Sequence, residues 1–323
     1  MRIYLKPRIH VTLISMHDSG YRVNGGIGFT IEEPKGVCSF RQSANFNLTD
    51  RRKTPLNAAE IAQIKEMLEI VRREYNIRLH LDIDINDNLL SHYGMGAGTG
   101  IKLACLEALF SINNIAYDQD LLVKYSGRGG ASGVGINTYF HGGLVVDLGR
   151  KNVGDSFRPS STNTNPAVPL LLNRVEMPDW PIGICIPSNL APKTREEEIA
   201  FFERICPLTE ADSYQTAYHS LFGLLASAME ADKETFSASL KALQECKWKK
   251  AERKEYGAKL AELEKQLYNA GATSVGMSSL GPMLFFVSNI DLRTVQEQME
   301  GTDCDILFTR PSNTGREIEM SGC

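Results

Sequence analysis

The stretch that decides the fold of this 323-residue chain is HYGMGAGTGIKLACLEALF, residues 92–110. It places four glycines in seven positions and then continues into a segment with helical spacing of its apolar residues: Ile101, Ala104, Cys105, Ala108, Leu109 and Ile112. Thr99 is the predicted N-cap of that helix, because its side-chain oxygen can accept a hydrogen bond from a first-turn amide. The segment therefore predicts a glycine loop joined directly to a helix N-terminus.

Two interpretations of these glycines are open. Glycine allows positive φ and close approach of a ligand to backbone N–H groups, and a helix N-terminus adds unpaired donors and a favourable dipole. The loop then predicts a phosphate or pyrophosphate site made by Gly94, Gly96, Ala97, Gly98 and Thr99. The alternative is a tight strand-to-helix turn that needs glycine only for packing. The loop is not a Walker A motif, because no Lys-Ser/Thr pair follows it, and it lacks the third glycine of the Rossmann fingerprint.

Around this loop the N-terminal half reads as a mixture of strands and helices. The patterns predict a strand over residues 2–14, a turn at Gly25 and Gly26 followed by a strand over 27–31, a helix over 57–75, a strand over 77–85, a second glycine loop over 126–135 and a strand over 142–149.

The composition changes at residues 156–169, a polar stretch with three prolines that is typical of an exposed connection. It divides the chain into predicted domains 1–170 and 171–323. Beyond it the patterns predict strands near 182–187, 283–287 and 305–309 and helices over 196–206, 214–230 and 250–269. Strands and helices without strict alternation predict an α+β fold.

Composition narrows the function classes. A net charge of -4 argues against a nucleic-acid-binding surface, so anionic substrates would have to be bound by local cations. Seven scattered cysteines without a CxxC pair fit neither a zinc site nor a disulfide framework and favour a reducing cytoplasm. The N-terminus alternates like a strand, and no apolar run approaches 18 residues, so neither an export signal nor a membrane span is expected.

Several blocks along the chain resemble one family. In order they are RIHVTLISM (8–16), RVNGGIGFTIEEP (22–34), HYGMGAGTG (92–100), GRGGASGVGINTYFHGGLVVDLG (127–149), MPDWPIGICIP (177–187), TREEEIAFFERICPL (194–208), SVGMSSLGPM (274–283) and TRPSNTGRE (309–317). The same order occurs in β-ribofuranosylaminobenzene 5'-phosphate synthases, a branch of the GHMP kinase superfamily, and in related C-nucleoside synthases.

The resemblance implies a GHMP kinase-like fold, with an N-terminal domain like domain 2 of ribosomal protein S5 and a ferredoxin-like C-terminal domain. It implies a homodimer that joins C1 of phosphoribosyl pyrophosphate to a ring carbon of an aromatic or heteroaromatic acid. Pyrophosphate and carbon dioxide leave, and pyrophosphate normally travels with Mg²⁺. The sequence names no metal ligands.

Two other functions remain open, a GHMP kinase that uses ATP and an inactive ligand-binding protein. Many GHMP kinases carry a catalytic aspartate in a P-S-G-I-D stretch before a Gly-Gly pair. With Gly142 and Gly143 as the anchor, that aspartate falls on Gly135, which cannot deprotonate a hydroxyl. Decarboxylative ribosyl transfer asks for no such base at the carbon–carbon step, because carbon dioxide leaves without removal of a proton. The ribosyltransferase is therefore the favoured hypothesis.

The candidate site residues lie mostly in the matching blocks. Arg8 and His10 are two apart in a predicted strand and share one face, which the resemblance directs toward the substrate. With Arg128 in the second glycine loop they are the catalytic candidates, since an arginine fork suits phosphate and carboxylate. The substrate-binding candidates outside the first loop are Arg22, Asn24, Ser132, Gly133, His141, Arg310 and Asn313.

The chain departs from the resembling synthases on the acceptor side. They usually have a glutamine where Gly100 stands, basic residues at Gly130 and Ala131, and a glutamine and a tryptophan at Met277 and Leu280. These differences predict a changed pocket for the aromatic ring. The acceptor therefore remains open between a benzoate and a heteroaromatic acid.

Overall fold

A computed structural model of the chain describes residues 1–160 and 168–320. The elements of the first half are β1 (Arg2–Leu5), β2 (Arg8–Ser15), β3 (Arg22–Thr30), β4 (Gly36–Ser43), β5 (Asn47–Asp50), α1 (Ala58–Glu74), β6 (His80–Ile85), α2 (Ala97–Ile112), α3 (Gln119–Ser126), α4 (Val134–His141), β7 (Leu144–Asp147), β8 (Arg150–Lys151) and β9 (Leu171–Val175). Half of the polar connection predicted at 156–169, residues 161–167, lies outside the described residues.

The second half is richer in helices. Its elements are β10 (Ile182–Pro187), α5 (Arg195–Ile205), α6 (Glu210–Tyr218), a π-helical segment (His219–Leu225), α7 (Ala226–Glu230), α8 (Lys233–Gln244), α9 (Lys247–Lys254), α10 (Gly257–Asn269), β11 (Ala272–Met277), β12 (Leu284–Ser288), α11 (Leu292–Gln298), β13 (Cys304–Thr309) and β14 (Glu317–Glu319). No helix in the described part of the chain is long and apolar enough to cross a bilayer.

Three sheets organise these elements. Two belong mainly to the first half, with strand orders β14-β1-β4-β6-β5 and β2-β3-β7-β9, and β8 pairs with β3. The third has the order β11-β12-β10-β13 with antiparallel pairing throughout. Read along the chain, that sheet and its helices follow the β-α-β-β-α-β pattern of a ferredoxin-like domain. The predicted α+β class is confirmed.

Helix α1 illustrates why the predicted segments form. Asn57 accepts a hydrogen bond from the Glu60 amide while the Glu60 side chain accepts from the Asn57 amide, a capping box that satisfies two orphan donors. Its buried face, Ile64, Met67, Leu68 and Val71, joins the main hydrophobic core. Helix α2 is buried over most of its length, so it runs through that core.

Several local predictions are corrected. Gly25 and Gly26 do not form a turn, because β3 runs through both and pairs with β2 and β7. Thr99 is not the N-cap of α2: the cap is Gly96, in the left-handed region, and Thr99 lies in the first turn. The predicted set also lacks several observed elements: β4, β5, α3, α4, β8, β9, α8, β11, α11 and β14.

The division at residue 170 stays a prediction, and two strand pairings cross it. Strand β9 pairs with β7, and β14, near the end of the chain, pairs with β1. The first-half sheets are therefore completed by strands from the second half of the sequence.

Candidate active site

A cavity of about 180 Å³ lies where the two halves of the sequence meet. From the first half it is lined by Arg8, His10 and Leu13 of β2, Thr99 of α2, Arg128, Gly129, Ala131 and Ser132 of the second glycine loop, Gly135 and Ile136 of α4, and Pro159 and Ser160. From the second half it is lined by Glu198 and Phe202 of α5, Trp248 and Glu252 of α9, and Ser279 and Leu280 after β11.

Arg8 is a partly buried cation in this cavity. Its Nη1 donates to the carbonyl oxygen of Gly94 at 3.1 Å, whereas its buried Nε has no hydrogen-bond partner. No carboxylate among the described residues forms an ion pair with it. Burial, and next the charge of Arg128, lowers the pKa of Arg8 to about 10, so it remains charged near neutral pH. An anion would satisfy both the charge and the open donor.

Arg128 is a second partly buried cation in the same cavity. Its Nε also lacks a partner, and burial lowers its pKa although Glu198 and Glu60 favour the charged form. Lys102 of α2 lies close enough that Arg128, after burial, helps to lower the lysine pKa to about 8. The lining thus combines these two arginines with the carboxylates of Glu198 and Glu252, and the unpartnered Nε of each arginine is open to an anionic ligand.

His10 presents a neutral ring. Burial, followed by the charges of Arg8 and Lys249, lowers its pKa well below the ordinary value. Its Nδ1 is buried without a partner, and its backbone N–H donates to Ser278 Oγ at 3.0 Å. A neutral imidazole beside Arg8 can hydrogen-bond a substrate without adding a competing charge.

The first glycine loop packs closely against the Arg8 side chain. A Cβ on Gly96, which has φ +80°, would lie 2.8 Å from Arg8 Cγ, and one on Gly94, with φ +88°, would lie 2.2 Å from the Ser278 carbonyl oxygen. Packing therefore requires both glycines. The amides of Ala97 and Gly98 have no hydrogen-bond partner among the described residues, which keeps the anion-site interpretation open.

Of the five loop candidates, only Thr99 lines the main cavity. Gly96 and Ala97 line a small adjoining pocket that shares Arg8 with it. A Cβ on Gly98 would lie 3.2 Å from Arg128 Nη2. The loop therefore borders both cavity arginines.

The second glycine loop is fixed by a buried carboxylate. Asp147, at the end of β7, accepts hydrogen bonds from Ser132 Oγ at 2.8 Å and from the amides of Gly133 and Gly149, both at 2.9 Å. Burial raises the Asp147 pKa to about 6 against the effect of these donors. The Gly133 amide is thus occupied by the fold, while Ser132 remains in the cavity wall.

Five predicted residues lie outside the cavity lining, with side chains that bond to the fold. Arg22 donates to the carbonyl oxygens of Leu148 and Gly149, and Asn24 to that of Gly130. His141 Nε2 forms a hydrogen bond with Gln119 Oε1, and Arg310 pairs with Asp179. The Asn313 side chain accepts a hydrogen bond from the Met177 N–H and donates one to the Met177 carbonyl oxygen. Substrate contact by these residues stays a prediction.

Sequence reasoning missed the cavity wall from the second half. Glu198 and Phe202 are four residues apart on α5 and share a face, and the Phe202 ring meets the Trp248 ring at a centroid distance of 5.2 Å. The four-residue spacing of Glu198 and Phe202 was the sequence signal that could have indicated this wall, but a shared helix face of this kind is equally typical of ordinary core packing.

Gly135, the position at which the catalytic aspartate of many GHMP kinases is predicted to fall, is also in the cavity. A Cβ there would lie 3.3 Å from Arg8 Nε. The Asp147 carboxylate already accepts hydrogen bonds from the Ser132 hydroxyl and from two backbone amides. The two carboxylates in the lining are Glu198 and Glu252, and Glu252 is bonded to Lys249 Nζ at 2.5 Å.

Comparison with known proteins gives consistent results. A family model described as the GHMP kinase N-terminal domain matches residues 62–142. The chain is 33% identical to a β-ribofuranosylphenol 5'-phosphate synthase of Archaeoglobus fulgidus over 99% of this chain and 100% of that protein. It is 27% identical to a protein of the same name from Methanothermobacter thermautotrophicus over 87% of each chain.

Solved structures agree on the fold. The phosphomevalonate kinase of Streptococcus pneumoniae superposes with a TM-score of 0.69 at 10% identity, covering 96% of this chain and 99% of the kinase. The mevalonate pyrophosphate decarboxylase of Streptococcus pyogenes superposes with a TM-score of 0.67 at 14% identity, covering 97% and 96%. At these identities the likeness shows the GHMP kinase fold alone.

Proposed function

The chain belongs to the family of β-ribofuranosylphenol 5'-phosphate synthases, enzymes of the pentosyltransferase kind, and from that premise we propose a decarboxylative C-ribosyl transfer. The donor is phosphoribosyl pyrophosphate, and the acceptor is an aromatic or heteroaromatic carboxylic acid. The carbon–carbon bond forms at C1 of the ribose, and pyrophosphate and carbon dioxide are released.

One observation carries this proposal: two partly buried arginines, Arg8 and Arg128, share a cavity and each has a buried Nε without a hydrogen-bond partner among the described residues. A buried guanidinium without a carboxylate is costly unless a ligand supplies the negative charge. Phosphate oxygens match the planar donor fork of arginine. The pair suits a substrate that brings several phosphate charges to one place.

These residues would act on the leaving group. As the C1–oxygen bond breaks, positive charge grows on the ribose and negative charge on the departing diphosphate. Arg8 and Arg128, with the Thr99 hydroxyl and the Ser132 hydroxyl beside them, would stabilise that anion. The ring carbon then bonds to C1, and loss of carbon dioxide returns its bonding electrons to the ring and restores aromaticity.

The acceptor would lie against the apolar part of the lining. Phe202, Trp248, Leu13 and Leu280 offer flat and aliphatic surface next to the polar residues. Leu280 is one of the positions where this chain departs from the resembling synthases, and Ala131 is another, and both line the cavity. Their placement supports a ring selectivity that differs from that of 4-aminobenzoate-specific relatives.

Magnesium, a homodimer and a cytoplasmic location remain part of the proposal. No cluster of three or more metal-ligating side chains occurs in the part of the chain that the structure describes. Mg²⁺ would therefore be held by diphosphate oxygens and water, as is common for this ion, and we assign it no protein ligand. The homodimer and the cytoplasm rest on the family resemblance.

The deciding experiment mixes the protein with phosphoribosyl pyrophosphate, Mg²⁺ and either 4-hydroxybenzoate, 4-aminobenzoate or a heteroaromatic acid. Release of pyrophosphate and carbon dioxide in equal amounts is expected with one acceptor class. Arg128→Met should weaken donor binding about tenfold to a hundredfold in calorimetry, because a hydrogen bond to a charged group contributes about 1.5–3 kcal/mol. The control is Arg73→Met, which removes an exposed arginine of α1.

Two results would reject the proposal. Formation of ADP from ATP and an alcohol, without pyrophosphate release from the ribosyl donor, would favour the kinase. Donor binding without release of either product, across all acceptors, would favour an inactive binding protein.

A further inference from the structure

The cavity contains one carboxylate that the proposed transfer leaves unused. Glu198 lines the cavity and makes no hydrogen bond or ion pair through its side chain among the described residues. The other cavity carboxylate, Glu252, is bonded to the buried Lys249, which also donates to the Met277 carbonyl oxygen at 2.8 Å. Within the described residues, the Glu198 carboxylate is therefore free to meet a polar group of a ligand in the cavity.

The surroundings of Glu198 indicate which part of the ligand it meets. Phe202 follows one turn later on the same face of α5, and its ring packs at 5.2 Å against that of Trp248. Both aromatic side chains line the cavity. The carboxylate therefore lies beside the surface on which a flat acceptor ring would pack, so a polar substituent of that ring is within its neighbourhood.

From this juxtaposition, and resting on the proposed function, we propose that Glu198 binds the hydroxyl or amino group of the acceptor ring and accepts its proton during the reaction. The relatives are named for a ribofuranosylphenol, whose ring carries a hydroxyl. A substituent that donates electrons makes the ring carbon para to it nucleophilic, and removal of its proton increases this effect. A carboxylate at the substituent supplies both recognition and activation.

The steps balance in atoms and electrons. The substituent's O–H or N–H bond breaks, its proton goes to a Glu198 oxygen, and its electron pair enters the ring. The ring carbon forms its bond to C1 while pyrophosphate leaves with the C1–oxygen pair. Carbon dioxide then leaves, its bonding pair restores the aromatic ring, and the substituent regains the proton from Glu198. No oxidant, reductant or second base is needed.

The electrostatics of the pocket agree with this role. Burial raises the pKa of Glu198 to about 7, and Glu252 adds to the effect while His92 and Arg128 oppose it. A group with a pKa near the working pH can both take and return a proton. Below that pKa Glu198 is protonated and cannot accept, so kcat/KM is expected to rise with pH across the region near 7.

The test compares Glu198→Gln with Glu203→Gln, which removes an exposed carboxylate from the same helix. The measured quantities are donor affinity by calorimetry, kcat/KM with the better of 4-hydroxybenzoate and 4-aminobenzoate, and the pH profile. We expect Glu198→Gln to retain donor affinity, to lose about a hundredfold in kcat/KM and to lose the rise near pH 7. Glu203→Gln should behave as the unchanged protein does.

A second measurement separates proton acceptance from a general effect on the pocket. 4-Methoxybenzoate has no substituent proton, so the unchanged protein should bind it at least tenfold more weakly than 4-hydroxybenzoate. This preference should shrink in Glu198→Gln, because the neutral amide oxygen still accepts the donated hydrogen but lacks the charge and the basicity of the carboxylate.

The failures of the two proposals differ. If the unchanged protein releases no pyrophosphate with any acceptor, the proposed function falls and the role of Glu198 falls with it. If transfer occurs but Glu198→Gln keeps its rate and its preference for the hydroxyl, only the role of Glu198 is overturned. A loss of donor affinity with acceptor preference intact would place the carboxylate on the ribosyl donor and would also overturn it.

Discussion

At the scale of single residues, Gly135 stands where the Gly-Gly anchor predicts the catalytic aspartate of many GHMP kinases. It lies in the first turn of α4, and a Cβ there would be 3.3 Å from Arg8 Nε and 3.6 Å from Thr99 Cγ2. An acidic side chain at this position would meet the Arg8 guanidinium directly. The absence of a side chain thus keeps the donors of Arg8 available to a substrate anion.

Gly135→Asp should therefore act as an internal competitor for the donor. We expect its affinity for phosphoribosyl pyrophosphate to fall at least tenfold, because the new carboxylate would pair with Arg8 and neutralise it. Gly135→Asn has nearly the same size without the charge and is the matched control. Calorimetry at low and high salt measures the difference. Equal losses in the two variants would mean that crowding rather than charge is responsible, contrary to the prediction.

The cavity residues also show what sequence reasoning can reach at this scale. Arg8, His10, Arg128, Thr99 and Ser132 were predicted and lie together, because each stands in a distinctive block or glycine loop. Leu280 was expected at the acceptor pocket from the resemblance, whereas Glu198 and Trp248 approach the same space only through folding of the second half. Nothing local distinguishes Glu198 from its exposed neighbours on α5, so its position required the tertiary structure.

At the scale of elements, the join between β7 and α4 positions the second glycine loop. Asp147 bonds Ser132, Gly133 and Gly149 and thereby connects the end of the strand to the start of the helix. Gly133 itself offers no side-chain cap to α4. The loop that carries Arg128 therefore depends on one buried carboxylate from a neighbouring strand.

Asp147→Ala should destabilise the fold by roughly 2–5 kcal/mol, since it leaves buried donors unsatisfied at about 1–3 kcal/mol each. The midpoint of urea unfolding measures the loss. Asp305→Ala, at an exposed position of β13, is the control and should change stability by less than about 0.5 kcal/mol. An Asp147→Ala protein as stable as the control would show that water replaces the carboxylate without cost.

The same carboxylate predicts a pH dependence. Because its folded-state pKa is raised to about 6, above the ordinary value near 3.8, the folded state binds more protons between these pH values. Its contribution therefore makes the free energy of unfolding fall as pH rises from about 4 to 6, with no further change above that range. Asp147→Ala should remove this part of the slope, although it lowers stability throughout.

Elements whose own sequence carries a cap or an apolar stripe could be predicted, whereas elements specified by the strands they pair with could not. Helix α1 has a capping box and an apolar stripe, and its predicted and observed bounds differ by one residue at each end. The helix expected over 214–230 begins earlier and is interrupted by the π-helical segment His219–Leu225. Strand β11 is short and mostly buried, so it lacks alternation and is specified by its pairing with β12.

At the scale of the whole molecule, the chain end returns to the first sheet. Strand β14 pairs with β1, with Ile318 opposite Ile3. Just before it, Arg316 makes two hydrogen bonds to Glu107 of α2, from Nη2 at 2.6 Å and from Nε at 3.0 Å. Glu107 is fully buried and also accepts from Tyr139 Oη at 2.7 Å. The contact therefore ties the last strand to the central helix that follows the first glycine loop.

Arg316→Met should consequently destabilise the protein by about 3–5 kcal/mol, because it leaves a buried carboxylate without its cation. Arg2→Met is the matched control: it breaks an exposed pair with Glu319 on the same strand junction and should cost less than about 1 kcal/mol. Urea unfolding of both variants gives the comparison. Adding Glu107→Gln to Arg316→Met should recover part of the loss, since the unpaired charge is then removed. If the two arginine variants unfold at the same urea concentration, the closure of the fold rests on the β1–β14 pairing and not on the buried ion pair.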